Sequence, residues 1–183
     1  MATRTIVTEG DDVLLKKCRT VDKFNNRLFE LLDDMADTLY ESDGVGLAAP
    51  QVGVRRRVVV IDVGDENGLI ELINPEITEK SEETVADMEG CLSFPGQWGI
   101  VERPLRVSAK AQNREGEWFE ITGEGLLARC LCHEIDHLNG VVFKNLASHM
   151  LTPEEVEEMI KKQQEAAAKA QQEQDTDGGE DSR

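Results

Sequence analysis

The residues best suited to chemistry lie together at His133-Glu134-Ile135-Asp136-His137. On a helix, two imidazoles four residues apart stand one turn above each other on the same face. Both can then reach one metal ion, with Glu134 beside it as a proton carrier. The chain has only three histidines, and two of them at this spacing, with a glutamate in place, favour a metal site over chance hydrogen-bonding groups on a helix. A catalytic site of this type takes a third protein ligand and leaves the fourth position to water, whose acidity the metal raises.

Several residues compete for the third position. The longer pattern HExxHxxGxxH is excluded, because Gly140 stands at its place but Phe143 occupies the position of the third histidine. In another class of HExxH peptidase a downstream glutamate serves, and Glu157 or Glu158 lies at a tolerable distance. Both, however, fall in the first turns of a helix, where the macrodipole alone favours acids. Thiolates are the other candidates. Cys91, within Met88-Glu89-Gly90-Cys91-Leu92-Ser93-Phe94-Pro95-Gly96, sits between a glycine and a turn-rich run and is well suited to approach a metal. Cys130 falls on the apolar face of the histidine helix as a small core residue, Cys132 is rotated away from the His133/His137 face, and Cys18 has nothing metal-like near it. Four cysteines are too few for a disulfide scaffold of this length, so thiols or metal ligands are expected.

The elements that must position these groups can be read from periodicity. Residues 125–138 carry leucines, Cys130 and Ile135 at intervals of three and four with no internal Gly or Pro, and Gly140 stands just beyond as a stop signal, which predicts a short buried helix. Residues 21–42 place Val21, Phe24, Leu28, Leu31, Leu32, Met35 and Leu39 at helical spacing, predicting a first long helix that ends at Ser42-Asp43-Gly44. The β-branched run 57–63 and residues 69–74, ending at Pro75, predict strands. Residues 105–111 and 118–121 predict an antiparallel hairpin through Asn113-Arg114-Glu115-Gly116. Thr152-Pro153-Glu154-Glu155 is a capping box that opens a third helix. Beyond Ile160 the large apolar residues stop, so a domain over residues 1–162 and an acidic fraying helix with a disordered tail over 163–183 are expected.

Composition narrows the function. The chain has 183 residues, 39% of them apolar, which suits one globular domain with a single main site. It has 20 basic against 37 acidic residues, a net charge of −17, which argues against non-specific nucleic-acid binding by the molecule as a whole. The run Arg55-Arg56-Arg57 is read as a solvated hairpin or strand entry, with docking onto something acidic as the alternative. No long apolar run or signal-peptide core is present, so a soluble intracellular protein is expected.

Three stretches, Gly44-Val45-Gly46-Leu47-Ala48-Ala49-Pro50-Gln51, Glu89-Gly90-Cys91-Leu92-Ser93 and His133-Glu134-Ile135-Asp136-His137, resemble in order and separation the three motifs of the peptide deformylase family. The resemblance covers residues 5–150. It implies an α+β fold in which antiparallel β-sheets pack around a central helix carrying the HExxH motif, with an N-terminal and a C-terminal helix. It implies removal of the formyl group from the N-terminal formylmethionine of newly made proteins, with release of formate, in the bacterial cytoplasm.

By the same resemblance Cys91, His133 and His137 bind one divalent metal ion. That ion is Fe2+ in the cell, with Zn2+, Ni2+ or Co2+ accepted by purified protein. Glu134 is the general base and acid, and Gln51 and the backbone N–H of Leu92 serve the oxyanion. Val45, Gly46 and Gly90 hold the peptide as an added strand, and Arg103 braces the motifs together with Glu89 and Asp43. Trp98, at the cleft rim, is expected to shape preference for the residues after methionine. Expected partners are nascent formylmethionyl peptides and a transient ribosome contact, with no membrane and no specific DNA, and the chain is expected to be a monomer. Some members carry a basic C-terminal helix that docks on the ribosome, whereas here the region after Thr152 is acidic and Gln/Ala-rich. Docking by that element is therefore not expected. Two other readings stand beside this one: an HExxH peptidase using Glu157 or Glu158, and a non-catalytic metal module.

Overall fold

A computed structural model describes residues 2–177. The first helix, α1 (Asn26–Glu41), is capped by Asn25, whose side chain accepts the Leu28 N–H at 3.3 Å. The apolar period begins earlier, at Val21, but the chain there is not helical. Val21 is buried, and its N–H and C=O are held by the side-chain amide of Asn74 at 2.8 and 2.9 Å, so its backbone is already paired. The helix therefore starts at its cap, and Val21 joins the same core cluster from an extended segment.

The larger sheet is antiparallel, in the order β1 (Gly46–Ala48), β2 (Val58–Ile61), β3 (Ile70–Lys80), β6 (Arg106–Gln112), β7 (Trp118–Glu124). All four residues of β2 are fully buried because a helix covers each face of the sheet. Val58 and Val60 pack with α1, while Val59 and Ile61 pack with α2 (Leu126–Leu138). An apolar run without polar alternation is what two-sided burial demands of a strand.

The expected end of a strand at Pro75 is corrected: β3 runs through it to Lys80. Asn74 adopts a φ of 51°, and the pairing with β6 shifts register between Ile73 and Glu76. Pro75 thus falls at an irregularity, where its missing N–H costs no ladder bond. β6 and β7 form the expected hairpin, with Gln112 opposite Trp118.

A smaller antiparallel sheet has the order β4 (Thr84–Gly90), β5 (Trp98–Pro104), β8 (His149–Met150). None of its three strands was read from the sequence. Residues 84–86 are exposed, Asp87 and Met88 half-buried, and only Glu89 of β4 is buried, so no apolar alternation announces the strand. α2 packs against both sheets and carries His133 to His137, and the expected α+β arrangement stands.

α3 spans Pro153–Asp177 and opens with the expected capping box, Glu155 N–H donating to Thr152 Oγ1 at 3.3 Å and Thr152 N–H to Glu155 Oε2 at 2.8 Å. Of the expected fraying helix and disordered tail over 163–183, residues 163–177 continue α3, and residues 178–183 lie outside the described residues. No helix among the described residues is long and apolar enough to cross a membrane.

Candidate active site

α2 brings His133 and His137 one turn apart in the interior, with ring centroids 4.9 Å from each other. β4 delivers the facing thiol: the strand ends at Gly90, and Cys91 comes next in a turn closed by the Phe94 N–H on the Cys91 carbonyl at 2.9 Å. Cys91 Sγ lies 3.3 Å from His137 Nε2. One ligand atom from each of Cys91, His133 and His137 falls within 4.8 Å of the others. Glu157 and Glu158 are elsewhere, on α3, with Glu158 paired to Lys162.

His133 is fixed by what lies behind it. His133 Nδ1 meets Glu89 Oε1 at 2.5 Å, which leaves Nε2 as the atom free to ligate. Glu89 is itself clasped by Arg103, through Nη2 at 2.7 Å and Nε at 3.1 Å, and by Arg129 Nη1 at 2.9 Å. Burial pushes the Glu89 carboxyl up, but the bonds from His133 and Arg103 outweigh it and hold the group at about 2. Arg103 also donates to Asp136 Oδ2 at 2.7 Å. Asp136, not Asp43, is therefore its second acidic partner, and Arg103 itself is buried, with 6% exposure. Arg129 was not foreseen, although its place four residues before His133 puts it on the same helical face. It ties α2 to the smaller sheet by donating to the carbonyls of Val85 and Val101, each at 2.9 Å.

The donor set suits a first-row divalent cation, because thiolate and imidazole match Fe2+, Co2+, Ni2+ and Zn2+. The electrostatics agree. Burial opposes charge on His133, yet the adjoining Cys91 and Glu89 raise its proton affinity well above the ordinary value, so the pocket is built for positive charge. His137 is instead driven strongly towards neutrality, by burial first and then by His133. Two buried polar atoms here, Glu134 Oε2 and His137 Nδ1, have no hydrogen-bond partner among the described residues. Burial raises Glu134 to about 7, within reach of a proton-transfer role at neutral pH.

Gln51 lies buried in a 3-10 turn, its Oε1 accepting the Ala48 N–H at 2.9 Å and its Nε2 3.4 Å from Cys91 Sγ and 3.2 Å from Ser93 Oγ. The Leu92 N–H makes no hydrogen bond with any described residue. Gly46 is required by contact: a Cβ there would stand 2.5 Å from Glu134 Oε1. A Cβ at Gly90 would meet the Trp98 ring at 2.6 Å.

These residues surround a cleft of about 470 Å³. One wall is residues 42–46, the other residues 88–92 and 94–98, and the floor includes Leu126, Cys130, His133 and Glu134 of α2. Cys130 is therefore both a core residue and part of the cleft floor, which its spacing of four before Glu134 would have indicated. The walls carry a further feature: β1 and β4 are edge strands of their sheets, so strand edges flank the cleft.

An α+β framework that gathers a half-buried cysteine with two buried histidines and a buried glutamate at the foot of an open cleft defines a metal-dependent hydrolase. Comparison narrows the class further, since the sequence model of the polypeptide deformylase family matches residues 3–152, and the chain belongs to that family. It is 55% identical over 158 residues to the peptide deformylase of Caldicellulosiruptor bescii, covering 86% of this chain and 93% of that one. The crystal structure of the Thermotoga maritima peptide deformylase superposes with a TM-score of 0.78 at 46% identity, covering 81% of this chain and 99% of that one. The class I type b peptide deformylase of Acinetobacter baumannii, in a crystal structure with Met-Ala-Ser bound, gives 0.75 at 35% identity, covering 79% and 98%.

Proposed function

We propose that the chain hydrolyses the N-formyl group of formylmethionyl peptides, giving formate and a free amino terminus. The observation that carries this reading is the convergence of Cys91, His133 and His137 beside the unpartnered Glu134 carboxylate oxygen, at the floor of a cleft flanked by strand edges. Family membership and the Met-Ala-Ser bound to a relative support the same substrate class.

Cys91, His133 and His137 would hold one divalent ion, which when bound supplies Lewis-acid polarisation of the formyl carbonyl and a nucleophile at neutral pH. Glu134 takes a proton at Oε2 and returns one to the leaving amine, a task suited to a carboxyl raised to about 7. The oxygen that becomes charged as the amide turns tetrahedral receives donors from Gln51 Nε2 and the Leu92 N–H, each such donor supplying about 2.7–4 kcal/mol. Val45, Gly46 and Gly90 offer backbone groups to an extended peptide laid along the cleft. Glycine at 46 and 90 lets that backbone come close, and Trp98 on the rim meets the residues after methionine.

The metal in the cell is proposed to be Fe2+, with Zn2+, Ni2+ or Co2+ able to occupy the same donors. We further propose a cytoplasmic monomer that meets its peptides at the ribosome. Its catalytic unit is residues 1–162, and residues 163–183 are an appended acidic segment.

The test is anaerobic purification, metal analysis, and formate release from formyl-Met-Ala-Ser beside Glu134→Ala. One bound iron per chain, with release abolished in the variant while the metal is retained, is the expected result. A metal-loaded wild type that frees no formate overturns the reading.

A further inference from the structure

The cations of this acidic chain are unevenly placed. Residues 16–27 and 55–57 hold eight arginines and lysines against a single acid, Asp22, in a protein of net charge −17. The fold joins the two stretches. Arg19 and Arg56 form a parallel bridge, the Arg57 N–H donates to the Arg19 carbonyl at 3.0 Å, and Arg55 Nη2 donates to the Lys17 carbonyl at 3.0 Å.

Arg57 turns inward, donating to Asn139 Oδ1 at 3.0 Å and to the carbonyls of Leu138 and Pro75 at 3.3 Å, and Arg55 is half-buried. The other six, Lys16, Lys17, Arg19, Lys23, Arg27 and Arg56, are exposed. None of them forms an ion pair with a described residue. Elsewhere pairing is the rule: Arg4, Arg103, Arg106, Lys110, Arg114, Arg129, Lys144 and Lys162 each hold a carboxylate, and only the scattered Lys80, Lys161 and Lys169 form no ion pair with a described residue. With 37 acidic residues in the chain, leaving six neighbouring cations unpaired is a departure from the rest of the surface.

Lys23, Arg27 and Arg56 also open onto a second cleft, of about 500 Å³, shared with Arg4 and with the acids Asp22 and Glu30. Arg4 is committed to Asp34 at 2.8 Å.

We propose that this face docks the chain on the phosphodiester backbone of structured RNA. Three of the six cations are arginines, whose planar fork matches phosphate oxygens. A protein partner would call for an apolar centre, and the only large exposed apolar side chain in or beside these stretches is Leu15. The acidic remainder of the surface repels a polyanion, so approach is confined to this face and the docked orientation is set by charge. α1 begins at the basic face and ends at Glu41, next to Ser42 of the catalytic cleft. Its length, about 24 Å, separates the two, so RNA on one side leaves the cleft open to peptide. The choice of RNA over other polyphosphates rests on the deformylase reading, because newly made chains emerge beside ribosomal RNA.

The experiment uses the full chain and a fluorescently labelled RNA duplex of about 20 base pairs, with anisotropy read between about 0.05 and 0.2 M salt. Wild type is compared with the triple variant Arg19→Gln, Arg27→Gln, Arg56→Gln. Binding by the wild type, weakened about tenfold or more in the variant with a shallower salt dependence, is the expected result. Formate release from formyl-Met-Ala-Ser should be equal in the two proteins, because none of the three residues lines the catalytic cleft. Wild type that fails to bind at the lower salt, or a variant that binds equally well, overturns the proposal. So does displacement of the RNA by polyglutamate as readily as by unlabelled duplex, which would make the face a site for acidic protein. RNA binding without formate release would instead sink the deformylase reading, so the two failures are distinguishable.

Discussion

At the level of single residues, the candidate site depends on a carboxylate that does no chemistry. Glu89 orients His133 and is held by two arginines, and the His-Glu-x-x-His spacing made one end of this arrangement legible because its members are sequence neighbours. The rest was not legible from spacing: the link from Arg103 to Glu89 was expected through the family resemblance and that from Arg129 not at all, because they lie 14 and 40 positions from Glu89 and only the pairing of β4 with β5 and the packing of α2 bring them together. Removing one member of a buried pair leaves uncompensated charge and costs about 3–5 kcal/mol. Glu89→Gln should therefore lower the stability of the metal-free protein at neutral pH by an amount of this order. The sign with pH comes from the depressed carboxyl. Its contribution is complete above the ordinary value of 4.5 and is lost as pH falls towards about 2. Urea unfolding of both proteins from pH 7 down to about 3 should show the difference shrinking with acidity. A gap that stays constant over this range would mean that the ionised carboxylate is not what stabilises the fold.

At the level of elements, the sequence was most informative where one face of a helix or both faces of a strand are buried, as in α1, α2 and β2. It misled where a side chain replaces backbone pairing. Asn74 does this twice, holding Val21 in an extended conformation where periodicity suggested helix, and letting β3 continue past Pro75 where the proline suggested an end. Its amide also donates to Gln112 Oε1 at 2.8 Å, so one side chain links the segment before α1 to β3 and β6. Asn74→Ala removes three hydrogen bonds at a buried position and leaves a Cβ-bearing residue at a φ of 51° without the local compensation that asparagine has. A loss of about 2–4 kcal/mol is expected by urea unfolding. Asn74→Gly should lose less, since glycine tolerates the backbone angle while forfeiting the same bonds. Equal losses would show that the backbone angle contributes nothing.

At the level of the whole molecule, charge is the property composition stated most plainly and the one the fold distributes least evenly. The acids outnumber the cations, so the folded state works against its own repulsion over distances set by salt. The last segment adds to this without an evident return. Residues 163–183 contain six acids and two bases, the family match stops at residue 152, and the chain is exposed at every position from Lys161 to Glu173. Ending the chain after Lys162 should leave formate release within about twofold, because no residue of the cleft is touched. It should also raise the melting temperature slightly at about 0.02 M salt, where the Debye length exceeds 20 Å, and leave it unchanged near 0.2 M, where screening reaches only about 7 Å. Calorimetry at the two salt concentrations reads both signs. A clear fall in melting temperature after truncation would mean that the acidic segment packs on the body of the protein, and the unpaired cations around Arg19 and Arg56 would be the first surface to examine for it.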